Sequence, residues 1–267
     1  MTFAVGRGRE CKDVSRRLIV KVCHPYVRKW GPEDTAYISL AGTQYVDSDL
    51  FHEELDIPYS NMASAENGTY GRDGYEGWVP RYWARFSKPS KEFQLVEDFD
   101  DIEVADLPRS RIVWYDSVNT SEVVLRDAVP SVMRMIKRGS LIFFTFIETP
   151  RSRQTPVMKN RARDMEGKFY ETPEGIFSRF CMKVHEEACG YGLKVLEAHT
   201  YESARAMAVY VIGFEVVEKE GLDMNDVSLQ SIDGSKDCAT DPWLTDREVE
   251  RLSLVLKRYK ERGVYPA

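Results

Sequence analysis

The order of apolar runs predicts an α/β fold, doubly wound around a mostly parallel sheet with helices on both faces, that closes in an antiparallel hairpin. Three observations carry this. Residues 111–218 read strand, helix, strand, helix, strand, strand. The last two strands, 194–201 and 206–217, are separated only by the polar turn 202–205, too short for the crossover that a parallel return needs. The runs 111–116 and 140–147 are rich in β-branched and aromatic residues, as strands covered on both faces are.

The elements can be taken in chain order. Residues 10–30 place Val14, Leu18, Ile19 and Val22 at helical spacing, put cations on the remaining face and stop at Gly31-Pro32. Residues 35–42 form a strand running into Gly42, and a short helix over 49–55 begins near Asp47 or Ser48. Residues 61–66 are a strand candidate ending in Glu66, about 20 residues after the glycine, the spacing at which doubly wound folds place a ribose-binding carboxylate. A third strand, 92–98, also closes in acids, and the fourth, 111–116, stops at Asp116.

From 121 to 138, Val124, Leu125, Ala128, Val132, Met135 and Ile136 recur at helical spacing, with Ser121 as a cap, Gly139 just past the end and Pro130 as a kink. Residues 140–147 are a strand halted by Glu148-Thr149-Pro150. The helix 175–190 carries Ile176, Phe177, Phe180, Val184 and Ala188 on one stripe. Near the end, Thr245 and Glu248 have the spacing of a capping box for a helix to Arg262, with Leu252, Val255, Leu256 and Tyr259 as its apolar stripe, free to dock on the domain or on a second copy.

With 267 residues and 43% hydrophobic composition the chain can bury one α/β core. The expected organisation is a domain over 35–220 with insertions at 68–91 and 151–173, preceded by a helical extension, 1–34, and followed by a linker and helix, 221–267. Five cysteines without paired spacing, no charged-then-apolar leader and no long apolar stretch point to a reduced, soluble, cytoplasmic protein with no membrane span. The histidines His24, His52, His185 and His199 are scattered and no zinc-binding spacing exists, so no metal site is expected.

Both insertions bear on substrate. In the first, Tyr70, Arg72, Tyr75, Trp78, Arg81, Tyr82, Trp83, Arg85 and Phe86 interleave aromatics with arginines, which suits either base stacking with phosphate contact or a satellite cluster that packs a long loop. In the second, Arg151, Arg153, Lys159, Arg161, Arg163 and Lys168 outnumber Asp164 and Glu166. On a protein of formal net charge -6 this reads either as a local anion-binding patch, for RNA or DNA, or as a polar linker.

The strand order, the glycine turn and the strand-end acids together resemble the class I S-adenosylmethionine-dependent methyltransferases, whose sheet has seven strands and a final antiparallel hairpin. The resemblance covers residues 35–218. It implies S-adenosylmethionine as cofactor and S-adenosylhomocysteine as product. By position it implies that Leu40, Ala41, Gly42 and Thr43 accommodate the methionine part, that Glu66 binds the ribose hydroxyls and that Asp98 or Asp100 approaches the adenine. It further implies that Asp116, Ser117, Val118 and Asn119 face the transferred methyl, with Asp116 and Asn119 as candidate catalytic groups. The function expected is methyl transfer to nucleic acid or a nucleotide-containing substrate. The alternative, suited to a first turn with the single glycine Gly42 and no sharp catalytic motif, is an inactive fold serving as a scaffold or assembly partner.

Overall fold

The computed structural model describes residues 8–40, 45–66, 88–148, 161–163, 169–188, 190–202, 207–218, 221–225 and 227–232. The chain divides into two compact units, Met1–Pro25 with Ser110–Ala239 and Tyr26–Arg109 with Thr240–Ala267. Helix α1, Gly8–Trp30, contributes to both.

The second unit carries three parallel strands, β1 (Thr35–Leu40), β2 (Met62–Ala65) and β3 (Gln94–Val96). Thr35 starts β1 squarely because its hydroxyl donates to the carbonyl of Gly31 at 2.7 Å, and Gly31 takes a left-handed turn (φ 93°) that closes α1. Helix α2, Val46–Leu55, follows β1 and lays Phe51 on Tyr37 with ring centroids 4.0 Å apart. Tyr45, ahead of α2, is held in the left-handed region (φ 52°), a strained setting for a residue with a side chain. Its ring is buried edge-on against Phe93 at 5.2 Å, a contact that offsets the strain.

The first unit holds the order β4–β5–β9–β8, where β4 is Ser110–Thr120, β5 Leu141–Glu148, β8 Gly192–Glu202 and β9 Ala208–Val217. Strands β4 and β5 are parallel, and β9 runs antiparallel to both β5 and β8. The hairpin expected from the short turn is therefore present. Two short strands, β10 (Leu222–Asp223) and β11 (Gln230–Ser231), extend β8 in parallel, and a separate hairpin pairs β6 (Arg161–Arg163) with β7 (Phe169–Glu171). The sheet thus exceeds the seven strands expected: edge backbone groups left open by β8 are used by the polar stretch after β9.

Each face of this sheet has its own cover. On one, Phe144 and Phe146 of β5 and Tyr210 of β9 form a layer on which Phe180 of α4 (Pro173–Glu186) stacks, 4.4 Å from the Phe146 ring. On the other lie Trp114, Phe143, Thr145, Val211 and Gly213, which share a face through the registers of β4, β5 and β9. Helix α1 crosses that second face through Lys12, Ser15 and Arg16. Of this part of α1, Ser15 and Arg16 are buried and Lys12 stays partly exposed.

After β4 the chain enters α3, made of Ser121–Val123, a π turn Val124–Ala128 and Val129–Met135. The π turn stands where Pro130 was expected to kink the helix. Proline has no N–H and its ring crowds the carbonyl four residues back, and the wider turn relieves both. Among the described residues no helix is long and apolar enough to cross a membrane, and no cluster of metal-ligating side chains is present.

Candidate active site

In the second unit the carboxyl ends of the three strands gather the groups that the sequence nominates for a cofactor. Leu40 is the last residue of β1 and pairs with Ala65. Glu66 follows directly; its N–H extends the ladder to the carbonyl of Val96 at 3.1 Å, and its side chain is only 6% exposed. A nearly buried carboxylate is kept in place only where it meets donors, and this one lies at the end of a strand of the sheet. Beneath it, Ser39 and Ser64 share a hydrogen bond of 2.7 Å between buried hydroxyls. These small side chains keep the strand ends slim.

Asp98 is exposed, and its side chain accepts the N–H of Asp100 at 3.2 Å, capping the short turn Phe99–Asp101. Asp100 is exposed as well. Ala41, Gly42 and Thr43 lie outside the described residues, as do Arg151, Arg153 and Lys159, the aromatic insertion to Ser87 and the final helix. Arg161 and Arg163 fall on β6 of the small hairpin.

The first unit places Asp116, partly buried, at the end of a row of cross-strand partners. Asp116, Thr145, Val211 and His199 are successive cross-strand partners from β4 to β8, so they share a face. Lys12 of α1 reaches the Asp116 carboxylate at 2.7 Å. Thr145 donates to the same carboxylate and accepts the indole N–H of Trp114 at 2.9 Å. Burial pushes the Asp116 carboxyl up, but the Lys12 and Arg16 cations and the Thr145 hydroxyl outweigh it and hold it below the ordinary carboxylate range. At neutral pH it is an anion, better suited to accepting hydrogen bonds than to removing a proton from a weakly acidic hydroxyl. At the far end of the row, Ser15 and the Nε2 of His199 are 2.8 Å apart, and Glu197 approaches the Nδ1 at 3.2 Å. This trio has the composition of a nucleophilic triad, yet Ser15 and His199 are fully enclosed, which makes it a clamp for α1.

Past Asp116 the strand bulges. Asp116 pairs with Thr145 and Thr120 with Ile147, so four steps along β4 match two along β5. The segment 117–119 is pushed out of the ladder: Ser117 is buried and accepts the N–H of Asn119 at 3.0 Å, and Asn119 is exposed. Bulges of this kind re-aim side chains at sheet rims. Just beyond, Glu148 at the end of β5 is 2% exposed and accepts both the N–H (3.3 Å) and the hydroxyl of Ser121, while Arg179 of α4 donates to that hydroxyl at 3.3 Å. Sequence reasoning missed this group, although a lone acid closing an otherwise apolar strand was its signal.

Residues 7–192 match the family Methyltransf_35, described as "Putative O-methyltransferase". No curated protein matches the sequence. Similar solved structures include a "putative S-adenosylmethionine dependent methyltransferase" from Listeria monocytogenes, 12% identical over 74% of this chain and 98% of its own, with a TM-score of 0.44. Another is a "putative transferase" from Pyrococcus horikoshii, 14% identical over 82% of this chain and 66% of its own, TM-score 0.48. A "Putative hemolysin" from Streptococcus thermophilus is 12% identical over 89% of this chain and 72% of its own, TM-score 0.42.

Proposed function

The chain belongs to that O-methyltransferase family, and from this premise we propose that it moves a methyl group from S-adenosylmethionine to an oxygen of an anionic acceptor, a nucleic acid or a nucleotide-containing molecule. The observation that carries the cofactor reading is Glu66, a nearly buried carboxylate at the carboxyl end of β2. A vicinal diol can donate to a carboxylate at that strand end through both of its hydroxyls at once. Leu40 ends β1 opposite Ala65, next to Glu66, and Ala41 to Thr43 follow it in the sequence. The cofactor supplies a sulfonium-activated methyl with its own leaving group, so the protein's task is alignment. Asp116 holds a fixed negative charge and Asn119 offers an exposed amide from the bulge, and both serve to orient the acceptor. Asp98 is occupied by its own turn and has the weaker claim on the adenine.

The anionic character of the acceptor rests on Arg151, Arg153, Lys159, Arg161 and Arg163, a basic run in an acidic protein. Replacing Arg151, Arg153, Arg161 and Arg163 together with alanine is expected to weaken binding of a short RNA by about tenfold to a hundredfold at low salt and to flatten its salt dependence. Fluorescence anisotropy at several salt concentrations checks this. RNA affinity and salt slope equal to the parent's would remove nucleic acid as the acceptor. A second reading, an inactive scaffold, is favoured by one observation: Lys12 already occupies the Asp116 carboxylate.

A further inference from the structure

We infer that Glu148 is a positioning residue, which through Ser121 and Arg179 locks the bulged end of β4 in the conformation that faces the acceptor; this rests on the methyl-transfer reading above. Three independent features converge on the segment 117–120. The ladder between β4 and β5 breaks there. The helix that follows carries, just past its first residues Ser121–Val123, the π turn Val124–Ala128 that accommodates Pro130. Between the two stands a hydrogen-bond relay from a half-buried guanidinium through a buried hydroxyl to a buried carboxylate.

The relay joins three elements at one point. Glu148 belongs to β5, Ser121 is the first residue of α3 and Arg179 sits on α4. Toward β5 the ladder resumes past the bulge at the Thr120 to Ile147 pairing, and within the bulge Ser117 accepts the N–H of Asn119, so the relay adds a second tie on that side. A buried carboxylate is an expensive way to cap a helix start, where an exposed serine or aspartate serves. Its value here is rigidity, because a charge-assisted bond to a backbone N–H fixes position as well as energy. The guanidinium on α4 donates to the Ser121 hydroxyl, which in turn donates to the carboxylate.

The test uses the full chain and follows backbone amide exchange by mass spectrometry with and without S-adenosylhomocysteine. Glu148→Gln keeps the side chain's shape and removes its charge. Amides of 117–121 are expected to exchange about tenfold faster than in the parent, while core strands β5 and β9 stay within about twofold. In the parent, S-adenosylhomocysteine is expected to slow exchange at 117–121; in Glu148→Gln it should still bind, yet slow that segment no longer. Arg179→Met, on a partly exposed position that should fold normally, is expected to act in the same direction with smaller size, and the double variant to be no faster than Glu148→Gln alone. Uniformly faster exchange across the core would mark Glu148 as a mere stabiliser and overturn the proposal, as would unchanged exchange at 117–121 in both variants. If the parent gains protection and Glu148→Gln keeps it, the Glu148 proposal alone fails. If the parent gains no protection anywhere, the methyl-transfer reading fails and takes this role with it.

Discussion

Gly213→Ala is expected to destabilise the protein by about 2–3 kcal/mol, although alanine outside a sheet's crowded centre would stabilise slightly. A β-carbon built at this position meets Cε1 and Cδ1 of Phe143 at 2.4 and 2.6 Å. Phe143 is the direct cross-strand partner of Gly213 and is wholly buried, so its ring has nowhere to swing. The glycine is the recess into which that ring lies, and adding a methyl forces either a rotamer off its minimum or a shift of β9 against β5. Urea denaturation should show a lower midpoint with an unchanged slope. Combining the change with Phe143→Leu, which vacates part of the ring's volume, should cost less than the sum of the two single changes. A midpoint equal to the parent's would mean that the sheet relaxes freely there, and that the packing described around α1 is loose.

The second large effect lies at Asp116. Asp116→Asn is expected to cost about 1–3 kcal/mol, below the range for a wholly enclosed ion pair because the Lys12 side chain, 37% exposed, can recover water. The pH dependence follows from the direction of the shift. The carboxyl titrates below its ordinary value of 3.8 in the folded protein, so its stabilising contribution is present above that value and is lost as pH falls through the depressed folded value. The gap between parent and variant should therefore be full at neutral pH and should close in acid. Chemical denaturation at several pH values checks both size and shape. Pairing the change with Lys12→Met separates the roles: if Asp116 only anchors α1, the double variant should recover most of the loss and any methyl transfer should recover with it. If Asp116 also orients the acceptor, stability recovers and turnover does not.

Much of the architecture was legible because its signals are local. The continuous apolar run 140–147 located β5 to within a residue of Leu141–Glu148, and the four-residue polar turn after Tyr201 dictated the antiparallel pair β8 and β9. What was not legible depends on partners distant in the chain. Strand β4 continues past Asp116 to Thr120 through mostly polar residues, with β5 pairing to it on both sides of the bulge. Strands β10 and β11 are two residues each, too short for any period to register. The cations beside the apolar stripe of α1 have no partner visible in local sequence; Lys12 meets Asp116 and Ser15 meets His199, each far along the chain.

The candidate site divides the same way. Glu66 and Asp116 were named from their places at strand ends, and both are at or near burial there. Their environments were hidden: Asp98 is drawn into its own turn, Asp116 is matched by cations from α1, and Glu148 looked like a strand terminator. A sequence shows which residue types can do chemistry; which of them are already committed to folding depends on who faces whom.

The most direct test of the central claim is calorimetric titration of the parent protein and Glu66→Ala with S-adenosylhomocysteine. The account predicts micromolar-range binding by the parent that Glu66→Ala weakens by about tenfold or more, as expected when a nearly buried carboxylate that accepts ligand hydroxyls is removed. Absence of binding by the parent, or binding that is indifferent to Glu66, would contradict it.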